Sequence, residues 1–236
     1  MRTENIANEK RYQDWRTQQH YLFSPENRFP QQDEQFSLID GYSVCSKAYF
    51  YHGDFHLNGS ENELIDQNGR IIYTWCNLDA DGEFCTMFCH SNGKHYLVFR
   101  IELYGYSILE VETRTEMHYV PACVHPEEGE SVEEVFIWTS ADYDSRSNLL
   151  AVTGCIWACP YSTIVLDFSK PLHPRLPEQW LDLRNYVDPN NILFDDIGFV
   201  RWEDGVIILQ GSSIEDGKWK EVRVSTEQLM NTLLNT

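Results

Sequence analysis

EFCTMFCH (83–90), HYLVFRIEL (95–103), YSILEVE (106–112) and EMHYVP (116–121) are four short runs rich in aromatic and β-branched residues. Between them stand only hairpin-length turns: Ser91-Asn92-Gly93, Tyr104-Gly105 and Thr113-Arg114. Asn-Gly supplies the positive φ angles that a tight hairpin needs, and such runs suit a half-buried pleated surface. The spacing predicts one antiparallel meander of four strands.

The same grammar extends outward in both directions. Downstream, VFIWTSAD (135–142), LLAVTGC (149–155), STIVLDFS (162–169) and EQWLDL (178–183) form a second set. IGFVRW (197–202), the turn Glu203-Asp204-Gly205, VIILQGSS (206–213) and KWKEVRVS (218–225) form a third. Upstream, SKAYFYHGDFHLN (46–58), ENELIDQ (61–67), the turn Asn68-Gly69 and RIIYTW (70–75) make a fourth, less regular unit. Recurrence at intervals of 40 to 60 residues is what stacked or radial repeats of one sheet produce.

ADYDSRSNLLAVTG (141–154) followed by STIVLDFS (162–169) resembles the inner half of a WD40-type propeller blade. A polar turn precedes an apolar strand, and the next strand ends in the step Leu166-Asp167-Phe168. ELIDQNGRIIYTW (63–75) is similar to the outer hairpin of such a blade. The resemblance spans about four repeats between residues 36 and 225 and implies architecture alone, since the Gly-His and Trp-Asp dipeptides of that family are missing. The fold class expected is therefore all-β: four-stranded antiparallel meanders in a small β-propeller-like domain, with a β-sandwich as the alternative. The last set lacks a fourth strand, so closure by a strand from the N-terminal segment is expected.

Both ends differ from this middle. Residues 1–35 are polar, with Ile6, Trp15, Tyr21, Leu22 and Phe23 as scattered anchors, and read as an arm or short helix. Ser225-Thr226-Glu227-Gln228 has capping-box form, and Leu229, Met230, Leu233 and Leu234 follow at helical spacing, predicting a short helix over 226–236. Residues 36–225 are left as the β-domain.

Charge narrows the function classes. The 236 residues carry 18 Lys and Arg against 37 Asp and Glu, a formal net charge of −19. That field repels phosphate backbones and anionic lipid, so neither nucleic acid nor membrane is expected as a partner. Seven cysteines without a tight framework, and no apolar leader, point to reduced thiols in the cytoplasm.

Few constellations carry chemistry. Asn77-Leu78-Asp79-Ala80-Asp81-Gly82 has the oxygen spacing of a calcium loop, but its twelfth place is Phe88, so an Asp/Gly turn is the simpler reading. Cys85 and Cys89, like Cys155 and Cys159, lie four apart, about 13 Å on an extended strand, too far for one zinc. Cys123 and His125 would share a strand face about 7 Å apart, beyond hydrogen-bond reach and with no third group to orient the base. No metal or cofactor is expected. Glu127, Glu128 and Glu130 open an acidic run that reads as a lip for a basic protein partner, and Trp157 and Tyr161, in the loop Cys155–Tyr161, read as aromatic anchors.

These features point to a non-catalytic interaction module with Trp157, Tyr161, Glu127, Glu128 and Glu130 as binding residues. The alternatives are a hydrolase using acids or a bound calcium on the β-scaffold, and an acidic neutralising partner of a basic protein. A tight cluster of acids and histidine in a central pocket favours the enzyme. An exposed surface around Trp157 with an acidic rim favours the binder.

Overall fold

Fifteen strands and three helices account for the regular structure of a computed structural model that describes residues 4–53, 56–78, 84–127, 129–157, 159–173 and 180–234. Helix α1 (Lys10–Gln19) comes first, and single 3-10 turns connect it to the first strand. The first sheet holds β1 (Glu34–Ser37), β2 (Ser43–His52), β3 (His56–Ile65) and β4 (Ile71–Leu78) in that order. The second holds β5 (Cys85–Cys89), β6 (His95–Phe99), β7 (Tyr106–Glu110) and β8 (Thr115–Tyr119), again in chain order. The third holds β9 (Ile137–Asp144), β10 (Leu149–Cys155), β11 (Ser162–Asp167) and β12 (Trp180–Asp182). Helix α2 (Leu183–Val187) leads to the fourth sheet, β13 (Phe194–Glu203), β14 (Val206–Ser213) and β15 (Trp219–Ser225), and α3 (Thr226–Leu233) ends the chain's regular structure.

The protein is thus all-β with four antiparallel meanders and a short C-terminal helix, and sheets of this make fit propeller blades. The expected closure of the last sheet by the N-terminal segment is corrected. Strand β1 pairs with β2, Glu34 opposite Ser46 through Ser37 opposite Ser43, and β13–β15 stand as a three-stranded sheet among the described residues. The turns are as the sequence required: Gly69, Gly93 and Gly105 all take positive φ. At Gly105 a side chain would also run into the Tyr119 carbonyl, so the β6–β7 connection needs glycine for two separate reasons.

The chain clusters into two compact units, residues 1–88 with 97–133, and residues 89–96 with 134–236. In the first, β6 and β7 are buried on both faces through Val98, Phe99, Ile108 and Leu109. A second patch sets Leu22, Tyr49 and Leu78 among Trp15, Phe23 and Leu57. In the second unit, Leu149, Ala151 and Val165 of the third sheet pack with Ile207, Leu209 and Val224 of the fourth under Leu229 and Leu233 of α3. The apolar stripe of α3 is therefore what the spacing predicted. Its cap is not: Ser225 occupies the N-cap without a side-chain bond, while Thr226 Oγ1 donates to the Gly205 carbonyl. The tip of the β5–β6 hairpin belongs to this unit, where His90 stacks on Tyr143 and its Nε2 bonds the Phe168 carbonyl at 3.0 Å.

Candidate functional site

Tyr12, Trp15 and Arg16 stand at i, i+3 and i+4 of α1 and so share one face. That helix is fixed by the segment before it, since Ile6 N–H donates to Val120 O and Ala122 N–H to Glu4 O. Arg16 donates to Ile101 O at 2.8 Å and to Cys76 O at 3.0 Å. Satisfying main-chain carbonyls in this way sets the face of α1 against Glu102.

Glu102 is the centre of the arrangement. Only 3% of it meets solvent, so its carboxylate must be matched by donors. Tyr12 O–H donates to Oε2 at 2.7 Å, and His125 Nε2 lies 3.0 Å from Oε1 and 3.2 Å from Oε2. Burial, and then the charge of Glu102, hold the Tyr12 phenol far above its ordinary pKa, so it stays a neutral donor. A carboxylate in its ionised form only accepts, so it is the Nε2–H tautomer of His125 that this contact suits. The His125 ring is half-buried, edge-on to Trp15 at 4.5 Å and to Tyr12 at 5.1 Å between centroids. Its Nδ1 makes no hydrogen bond among the described residues. An imidazole oriented by a sheltered carboxylate, with its second nitrogen open, is equipped to act as a general base.

A second acid–histidine row lies in the same unit and has the opposite build. Ser107 and His118 face each other across β7 and β8, and His118 Nδ1 meets Ser107 Oγ at 2.7 Å. His118 Nε2 lies 3.5 Å from Glu116 Oε1, and Tyr73 O–H donates to Glu116. The residue types are those of a nucleophilic triad, but Ser107 is 0% exposed while the Glu116 side chain is 42% exposed. A working triad presents its nucleophile to the substrate and shelters its acid. Here the serine is the sheltered end, so the row ties two strands together. Burial lowers the His118 pKa against the pull of Glu116, which keeps the ring neutral in the folded chain.

The residues singled out in the sequence are spread over both units. Trp157 and Tyr161 are 55% and 48% exposed in the second unit, so the aromatic loop is not tucked away. Tyr161 N–H donates to Asp196 Oδ1 at 2.8 Å, which fixes the end of that loop. Glu127 and Glu130 are exposed in the first unit; Glu127 lies 3.6 Å from Arg11, and its N–H donates to Glu130 Oε2 at 3.3 Å. Glu128, like Asp79 and Asp81 of the calcium-type loop, lies outside the described residues. Among the described residues no three His, Cys, Asp or Glu side chains are grouped to hold a metal. The strand placement of Cys123 and His125 is corrected: Cys123 is in the 3-10 turn Ala122–Val124 and His125 caps it. Cys123 is buried, and burial together with Glu133 pushes its thiol up, away from nucleophilic use.

Sequence reasoning missed Glu102 and Tyr12, and with them the group that orients His125. The available signal was an acid between Ile101 and Leu103 at the end of the run HYLVFRIEL, whose other charged residue is Arg100, where an unpaired charge is costly.

No family model and no curated protein matches the chain, so the WD40-type resemblance extends to strand order alone. Among solved structures, a bifunctional GH43-CE protein of Bacteroides eggerthii is similar over 84% of this chain and 24% of that one, at 11% identity and a TM-score of 0.33. That protein's description is an enzyme's, the reverse of the non-catalytic interaction module expected from the sequence, and that expectation is not carried further. At so low a TM-score it lends this chain no reaction, substrate or residue role, which rest on the geometry above.

Proposed function

We propose that the protein is a hydrolase in which His125, held by Glu102, activates water. The observation that carries this reading is the sheltered Glu102 carboxylate on Nε2 of a half-buried imidazole whose Nδ1 is open. Nδ1 takes a proton from water as the water oxygen bonds to the electrophilic centre of the substrate. The imidazolium so formed is stabilised by the Glu102 carboxylate, and Tyr12 keeps that carboxylate in place through its own hydrogen bond. The leaving group departs with the bonding electron pair and recovers the proton from Nδ1, which returns the site to its starting state. Trp15 and Tyr12 wall the ring on two sides, which restricts the approach of water and substrate.

The seven cysteines, all free and with Cys89 and Cys159 exposed, support a reducing compartment, and we place the protein in the cytoplasm.

The test is turnover of chromogenic ester, phosphate and glycoside substrates by the purified chain and by His125→Gln, Glu102→Gln and Ser107→Ala. One class hydrolysed by wild type and by Ser107→Ala, and slowed about 100-fold or more by His125→Gln, is the expected result. Turnover unaffected by His125→Gln, or lost with Ser107→Ala in a folded protein, overturns the assignment.

A further inference from the structure

A cleft of about 390 Å³ lies within the second unit, where the last residues of β9 and β13 run into their turns. Trp202 lines it, with Asp144, Glu203 and Asp204 as its acids, Arg146 as its one base and Val206 beside the turn. The indole is itself held, its Nε1 donating to Asp142 O at 3.3 Å and its ring lying 5.6 Å from Phe199. The volume is in the range of small-ligand sites, and the lining differs from most of them in setting one anchored aromatic face among charged groups.

The charges around the indole are unequally committed. Arg146 is spent on Asp204, Nη1 to Oδ1 at 2.7 Å. Glu203 is shared by Arg201 at 3.1 Å and Arg223 at 3.4 Å, and both arginines also reach Glu221. Asp144 alone among the lining acids makes no ion pair within 4 Å among the described residues, although its charge is felt by Arg146, which is bonded to Asp204. Its Oδ2 accepts from Ser147 N–H at 3.1 Å and Ser147 Oγ–H at 2.6 Å, and its Oδ1 accepts only the long bond from Arg146 N–H at 3.3 Å. The carboxylate is therefore pinned in the β9–β10 turn while Oδ1 retains capacity for a strong donor.

We infer that this cleft binds a guanidinium-bearing ligand of arginine side-chain size. A planar guanidinium stacks on an indole and donates to a carboxylate in fixed geometry, so Trp202 and Asp144 together select it over a neutral group of the same shape. Acids outnumber bases three to one in the lining, and the chain's net charge of −19 raises the local concentration of any cation. An anionic ligand is disfavoured on the same grounds. This site is independent of Glu102 and His125, and neither assignment depends on the other.

The experiment is a titration of the full chain with N-acetyl-arginine amide and with its neutral isostere N-acetyl-citrulline amide, followed by calorimetry and by amide chemical shifts. Saturable binding of the arginine compound, at least tenfold weaker for the citrulline compound, with shifts in residues 142–147 and 202–206, is expected. Asp144→Asn keeps the turn-capping oxygen and should weaken binding about fivefold or more. Glu34→Gln removes an equal charge from an exposed position of the first unit and should leave binding unchanged. Equal binding of both compounds, an equal loss with Glu34→Gln, or no saturable binding of the arginine compound would overturn the inference.

Discussion

Tyr12→Phe isolates the hydrogen bond on which the Glu102 arrangement rests. The substitution keeps the ring, so the packing of a side chain only 1% exposed is preserved and no cavity larger than a hydroxyl is left. What is lost is one donor to a buried carboxylate, at 2.7 Å. Hydrogen bonds to charged groups contribute about 1.5–3 kcal/mol, and that range is the expected loss of stability. The Arg16 contact with the same hydroxyl, at 3.4 Å, is too long to add to it. In a chain of this size each kcal/mol moves the melting point by about 2–4 °C, so the variant should melt roughly 3–12 °C lower. Thermal unfolding reports the total, and amide exchange over residues 10–19 reports whether the loss falls on α1. Tyr161→Phe, a change on an exposed ring, should stay within about 0.5 kcal/mol of wild type. If Tyr12→Phe is as stable as Tyr161→Phe, the buried carboxylate does not need its phenol, and the reasoning that Tyr12 holds Glu102 in place is wrong.

Two further outcomes follow from the same coordinates. A side chain at Gly154, where β9 and β10 shift register, would run into the Ile137 carbonyl and the Phe136 ring, so Gly154→Ala should cost about 1–3 kcal/mol in a urea titration; Gly198→Ala, which meets open space at an ordinary φ, should be neutral or stabilising by up to about 1 kcal/mol, and similar losses at both sites would refute the steric account. His118 titrates below its unfolded value of about 6.5, so the unfolded chain binds the proton first; stability is whole above that pH and is lost as pH falls below it toward the folded value. The slope of urea midpoint against pH between about 7.5 and 5.5 should flatten in His118→Gln, and an unchanged slope would show that burial does not hold the ring neutral.

The strand grammar was legible because it is local. Asn92-Gly93 and Asn68-Gly69 announce their turns, and the runs between them have the composition and length that a pleated sheet selects. Four sheets in chain order follow from such signals without any knowledge of tertiary contacts. Closure was not legible in the same way. Whether β1 (EQFS) adds to the edge of the first sheet or the last depends on which edge lies within reach of the polar segment before it, and four residues carry no pattern that distinguishes edges. The C-terminal helix shows the same division: its apolar stripe fixes the burial of Leu229 and Leu233, while the cap passes from Ser225 to a Thr226 bond with Gly205, twenty-one residues away.

The site was hidden for a related reason, and the reason says what to look for. His125 was in view together with Cys123, but the group that orients it comes from position 102 and the donor that steadies that group from position 12. No spacing rule joins residues 23 and 113 apart in sequence. Residue type is also insufficient once the structure is known, because Ser107, His118 and Glu116 offer a more familiar set at shorter sequence separation. The two rows differ in which end faces water. At His125 the acid is sheltered and the imidazole reaches solvent; at His118 the acid reaches solvent and the hydroxyl is sheltered. A buried carboxylate is costly to maintain and is kept where its charge is used, whereas a buried serine on a histidine costs little and serves packing. The direction of burial along the row, rather than the identity of its members, is therefore why the proposal rests on Glu102 and His125 and not on Ser107 and His118.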